Sequence, residues 1–133
     1  MQTDLKAIVH NYLSVLQSRK SSTEMEQFYH PDVIQVEYPN SLTKNLTSRS
    51  LQDLKAASER GMHVLQKETY EIINIYENGN TVIAEVIWTG TLNIALGNTP
   101  AGGQMRAWFA QFFDFEGDKI IRQRNYDCFE PFN

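Results

Sequence analysis

Gln123, Asn125 and Asp127 alternate near the C-terminal end of the chain. Side chains two apart on an extended strand point to one face. The row therefore presents two amides and one group able to give or take a proton. Facing water, such a row is ordinary; facing an apolar cavity, it is a binding ledge, and Asp127 offers general acid/base chemistry. Burial there would raise the Asp127 pKa towards a useful range. A carboxylate satisfied by the backbone, or by a neighbour such as Arg124 at the sheet end, is the competing reading, and the residues alone leave both open. On the preceding strand Phe109, Gln111 and Phe113 share one face, and Gln111 can donate a hydrogen bond to a developing oxyanion.

Other residue types that do chemistry are poorly placed. His10, His30 and His63 have no ligand spacing such as His-x-x-x-His and none lies near a carboxylate-bearing motif, so no metal site is expected. Cys128, the one cysteine, has no base partner and cannot form an internal disulfide. The Gly97 to Gly103 loop lacks the Lys and Ser or Thr of a phosphate cradle and reads as a rim for a pocket mouth. A formal charge of −4, with no basic run beyond Arg19-Lys20, argues against nucleic acid and anionic membranes as partners. No apolar run approaches membrane-spanning length. The N-terminal residues lack signal-peptide character, so cytoplasmic residence is expected and the Asn45-Leu46-Thr47 glycosylation pattern is read as chance.

The elements that must position these residues follow from hydrophobic period. At 133 residues the chain is expected to be a single domain, 1–133. Leu5, Ile8, Val9, Tyr12, Leu13 and Leu16 predict a first helix to about Ser18, capped by Thr3-Asp4. Tyr12 on such a helix is ordinarily a core residue with its hydroxyl at the rim. Thr23 with Glu26 predicts a capping box opening a short second helix, stopped by Pro31; Val33 to Tyr38 then reads as a strand. Ser41 to Arg49 reads as an exposed loop. Ser50 with Asp53 caps a third helix to about Gln66, carrying Met62 inward. Two hairpins follow, Thr69–Tyr76 with Thr81–Asn93, and the closing pair from Gln104 to Phe129 turning at Glu116-Gly117-Asp118. The class is α+β, with helices on one side of an antiparallel sheet.

Phe28-Tyr29-His30-Pro31-Asp32-Val33, Gly90-Thr91, the loop from Leu96 to Gly103, Gly117-Asp118-Lys119-Ile120 and Arg124-Asn125-Tyr126-Asp127 together resemble the SnoaL-like branch of the nuclear transport factor 2-like superfamily. The likeness runs over essentially the whole chain. It implies a cone-shaped, curved antiparallel sheet wrapped around the N-terminal helices as a cystatin-like α+β barrel with an internal pocket. It turns Gln123, Asn125 and Asp127, with Ala107, Phe109, Gln111 and Phe113, towards that pocket. Arg122, Arg124, Tyr126, Cys128, Arg106, Trp108 and Phe112 fall outside, where many such proteins dimerise.

Chemistry differs across that superfamily. Where steroid-isomerase-like members hold a base before a proline, this chain has Tyr38, whose inward orientation would turn Glu37 to the other face; where they hold an acid it has Gln111, and Tyr12 matches their tyrosine. Epoxide-hydrolase-like chemistry needs a second acid, for which Glu85 is the candidate, yet Ile83 stands where an arginine is required. Cyclase-like chemistry needs only one acid/base, Asp127. The expectation is a homodimer binding a small apolar molecule with a carbonyl or hydroxyl group, without cofactor. Asp127, Tyr12 and Gln111 are the candidate catalytic residues; Tyr38, Met62, Trp88, Phe109, Phe113, Gln123 and Asn125 are the candidate ligand contacts. Phe28 is a further expected wall. A non-catalytic binding or assembly module is the alternative.

Overall fold

In the computed structural model, which describes residues 4–132, amphipathic helix α1 (Leu5–Ser18) buries Leu5, Val9, Tyr12 and Leu13 against a six-stranded sheet. Asp4 caps it, accepting from the Ala7 amide at 3.1 Å; Thr3 lies outside the described residues. The second helix is a tight 3-10 segment, Ser22–Phe28. Its capping box is made by Ser21 and Glu24, where Thr23 and Glu26 were expected. Its end precedes Pro31, which sits inside strand β1 (Tyr29–Glu37). Pairing of β1 with its neighbour is irregular between Tyr29 and Ile34, so the missing Pro31 amide costs no ladder bond.

A three-residue strand, β2 (Thr47–Arg49), emerges from the expected loop. Helix α2 (Leu51–Val64) opens on the expected Ser50–Asp53 capping box and ends two residues short of Gln66. Long strands β3 (Leu65–Asn78), β4 (Thr81–Leu92), β5 (Gln104–Glu116) and β6 (Lys119–Phe129) complete the sheet. At the β5–β6 turn Gly117 has φ 62°, a left-handed conformation that glycine adopts without strain. The strand order is β2-β1-β6-β5-β4-β3. The sheet is curved and open, and mixed where an antiparallel barrel was expected, because β1 lies parallel to β6.

Alternation along β4 and β5 buries Val82, Ala84, Val86, Trp88 and Leu92, then Met105, Ala107, Phe109, Gln111, Phe113 and Phe115. On β6 the phase slips. Asp114 pairs with Arg122 but Phe115 pairs with Ile120, so one extra β6 residue is accommodated and Ile120 is buried while Ile121 is only half-buried. Beyond that bulge Gln123 and Asn125 face inward. On the outer face Trp108 and Tyr126 are each 42% exposed, Arg106 lies over Trp108, Arg124 lies over Phe112 and pairs with Asp114, and Tyr38 stacks on Tyr126 at 4.4 Å.

One buried cluster ties these layers together. Arg19, just past α1, donates to Glu68 of β3 at 2.8 Å, with the two side chains only 6% and 9% exposed. It also donates to Ser58 of α2 and to the Leu16 carbonyl. Glu68 accepts further bonds from Tyr70 Oη at 2.7 Å and Trp88 Nε1 at 3.1 Å. Trp88 is seated over Gly90: a Cβ there would come within 2.5 Å of the indole.

Two stability outcomes follow. Gly90→Ala forces the Trp88 ring aside and is expected to cost about 1–3 kcal/mol in urea denaturation. Arg19→Met leaves Glu68 as an uncompensated buried charge, an expected loss of about 3–5 kcal/mol, largely recovered when Glu68→Gln is added.

Candidate functional site

Between the inner sheet face and the helices lies a cavity of about 360 Å³. Each strand contributes by parity. Strand β6 supplies Gln123, Asn125, Asp127 and Phe129, β5 supplies Phe109 and Gln111, β4 supplies Trp88, and β3 supplies Glu68 and Tyr70. From the far side come Tyr12 and Leu16 of α1 and Leu54, Ala57, Ser58 and Arg60 of α2. The edge strands add Gln35, Glu37 and Arg49.

The apolar wall is aromatic. Trp88 and Phe109 stack at 5.7 Å, and Phe129 meets both edge-on at 5.8 and 5.9 Å. Burial lifts the hydroxyls of Tyr12, Tyr29 and Tyr70, the latter two well above the ordinary range, so all three stay protonated. Tyr12 Oη lies 2.7 Å from Tyr29 Oη and donates to Gln123 Oε1 at 3.5 Å. Gln123 Nε2 in turn donates to Asn125 Oδ1 at 3.1 Å. These bonds run as one chain from the core to the ledge.

Two ledge atoms stand outside it. Gln111 Oε1 and Asp127 Oδ1 are buried with no hydrogen-bond partner among the described residues, and Gln111 as a whole is only 4% exposed. An unanswered buried polar group costs about 1–3 kcal/mol. Burial, reinforced by the Glu37 charge and opposed by Arg49, pushes the Asp127 carboxyl up to about 7. The carboxyl can therefore change protonation state near neutrality. Burial also opposes ionisation of Glu37, but bonds from Asn40, Arg49 and Thr43 outweigh it and hold that carboxyl below its ordinary range.

The structure brings Tyr12, Trp88, Phe109, Gln111, Gln123, Asn125 and Asp127 to this cavity. It places three other candidates elsewhere. Tyr38 turns to the outer face against Tyr126, because Val33, Gln35 and Glu37 take the inward parity of β1. Met62 lines a separate groove with Gln17, Arg19 and Lys67, since α2 turns Leu54 and Ala57 to the cavity. Phe113 is fully buried behind the cavity, edge-on to Tyr12 at 5.4 Å. Phe28 packs on the other side of Tyr12, away from the cavity. Glu85 is exposed, bonded to Asn74 on the outer side of the hairpin.

Glu37, Arg49, Glu68, Tyr70 and Phe129 are among the lining residues that sequence reasoning missed. Parity counted from Val33 carried the signal for Glu37, and continued past Asp127 it carried Phe129. Arg49 and Glu68 join the site through pairings remote in sequence and left no local signal. Among the described residues, no cluster of three or more His, Cys, Asp or Glu side chains is arranged to hold a metal ion, and no helix is long and apolar enough to cross a membrane.

Comparison with known proteins gives this geometry a family. No curated protein matches the sequence. Among solved structures, IdmH from Streptomyces antibioticus is similar with a TM-score of 0.78 at 13% identity, over 94% of this chain and 92% of that one. A SnoaL-like polyketide cyclase from Agrobacterium tumefaciens gives 0.70 at 19% identity, over 96% and 92%. A Catenulispora acidiphila protein of ketosteroid isomerase-like fold, in complex with trimethylamine, gives 0.73 at 13% identity, over 90% and 83%. At such identities the likeness establishes the shared fold. Residues 9–123 match the SnoaL-like domain, and with most of its length so covered the chain belongs to the SnoaL-like family.

Proposed function

We propose that the cavity binds a compact, largely apolar molecule carrying a carbonyl or hydroxyl group, and that Asp127 exchanges a proton with it. The observation that carries this reading is the placement of Asp127: its Oδ1 is without a partner and set beside the Phe109, Trp88 and Phe129 wall, where burial pushes the carboxyl up to about 7. A general acid or base works best when its pKa lies near the working pH. Gln111, with its own unpartnered Oε1 on the neighbouring strand, orients the polar end of the molecule. Tyr12 acts at one remove, because its hydroxyl is committed to Tyr29 and Gln123 and stiffens the ledge. The reaction class is isomerase- or cyclase-type proton transfer, which side chains alone can carry out. A polyketide cyclase among the proteins of similar structure supports that class.

The reading is tested without knowing the natural substrate. The protein is expected to accelerate exchange of the α-protons of 2-tetralone with deuterium near neutral pH, followed by mass spectrometry. Asp127→Asn should lower that rate by about 10²–10⁴-fold; exchange that survives the substitution removes Asp127 from the mechanism.

Stability gives an independent check. Unfolded, the Asp127 carboxyl titrates near 4; folded, it titrates at about 7. Between those values the folded protein holds the extra proton, so this group's contribution to stability is full below about pH 4 and is lost as pH rises to about 7. The melting temperature of Asp127→Asn, measured against the parent, is expected to gain with pH up to about 7 and then level off. A difference that does not change with pH contradicts the placement of this carboxyl.

A further inference from the structure

Asp127 has a cation within electrostatic reach and no bond to it. Arg49 is the cation whose charge favours ionised Asp127, yet its Nη1 donates to Glu37 Oε1 at 2.8 Å and to Gln35 Oε1 at 3.3 Å. Glu37 is well placed to hold it. Strand β1 sets Glu37 beside Asn125, one pleat from Asp127, and β2 pairs with β1 so that Arg49 lies opposite Gln35. The other Glu37 oxygen accepts from Asn40 Nδ2 at 2.9 Å. Asn40 is itself fixed, its Oδ1 receiving the Leu42 and Thr43 amides at 2.9 and 2.8 Å. Both Glu37 oxygens are thus committed, and the guanidinium is held through Nη1, shared between Glu37 and Gln35. An arginine lacking such an anchor would pair with the next carboxylate in reach.

We propose that Glu37 is a positioning residue for the proton transfer: by fixing Arg49 it withholds the guanidinium from Asp127, leaving that carboxyl free to exchange a proton with a bound molecule. The inference rests on the acid/base reading of Asp127, and it extends the site to a residue pair on the edge strands. Two effects of Glu37 act together. Its charge opposes ionisation of Asp127, and its grip on Arg49 removes the partner that would stabilise the ionised form. The remaining charged or titratable groups facing the cavity are Arg60 of α2, Glu68 and Tyr70 of β3, and Tyr12 of α1. Glu68 is neutralised by Arg19, the tyrosines stay protonated, and Arg60 is exposed to screening solvent. From β4 and β5 the cavity is faced only by uncharged Trp88, Phe109 and Gln111. Glu37 and Arg49 are therefore the charges able to set the proton affinity of Asp127.

The test is carboxyl 13C NMR titration of Asp127 in the full chain, its resonance identified by loss in Asp127→Asn, for the parent protein, Glu37→Gln and Arg49→Met. In Glu37→Gln the midpoint is expected to fall by about one unit or more, a tenfold or greater gain in acidity, as Arg49 turns to Asp127. In Arg49→Met it is expected to rise. A purely structural role for Glu37 would lower stability and leave both midpoints in place. An unmoved Glu37→Gln midpoint, or shifts of the same sign in the two variants, overturns the proposal. If Glu37→Gln does not fold, Arg49→Met decides alone: an upward shift supports the proposal and its absence overturns it. The acid/base reading fails separately, through retained 2-tetralone exchange in Asp127→Asn, an outcome that leaves these titrations unchanged.

Discussion

A carboxylate stays charged inside a protein only where its oxygens are answered, and the answering of Glu68 by Arg19 is the constraint on which the rest of this structure depends. The pair joins the end of α1 to the start of β3 and reaches α2 through Ser58. Through Tyr70 and Trp88 it sets two aromatic groups of the cavity wall. Its value lies more in placement than in energy. Well-packed apolar replacements of buried ion pairs are often as stable as the pairs themselves, but they could not orient an indole N–H and a phenol at once. Without that orientation the stacking of Trp88 on Phe109 has no fixed edge.

The same cavity treats a second carboxylate in the opposite way. Asp127 lies where burial alone would demand a partner, and one of its oxygens has none. Glu68 and Asp127 thus differ in environment: one is saturated by an arginine, a phenol and an indole, while the other has an unpartnered oxygen and only through-space charges, Glu37 and Arg49, near it. The surroundings of Asp127 raise its proton affinity, with burial the larger cause and the Glu37 charge the next.

Much of the framework is legible from local pattern, and what is not legible has definite causes. The period of Leu5, Val9, Tyr12 and Leu13, the Ser50–Asp53 box and the Gly117 turn each express preferences of a few neighbouring residues, so α1, the start of α2 and the β5–β6 hairpin are readable from sequence. Parallel pairing of β1 with β6 is a contact between chain ends, and β2 is too short to show a period. The inward orientation expected of Tyr38 rests on a position matched in steroid-isomerase-like members, whereas local parity from Val33 turns Glu37 in and Tyr38 out, leaving apolar Ile34 41% exposed. The bulge near Ile121 shifts β6 by one residue without changing composition, so Ile120 rather than Ile121 is buried while the ledge beyond it faces inward as alternation from Phe129 requires.

The ledge argues for a ligand more strongly than its composition does. A row of amides and one acid could satisfy itself completely, as the Tyr29, Tyr12, Gln123 and Asn125 chain does over its own length. Gln111 and Asp127 lie on adjacent strands within the same cavity and do not close that chain. Each is an acceptor turned into the cavity, a position from which it can fix the polar end of an apolar molecule.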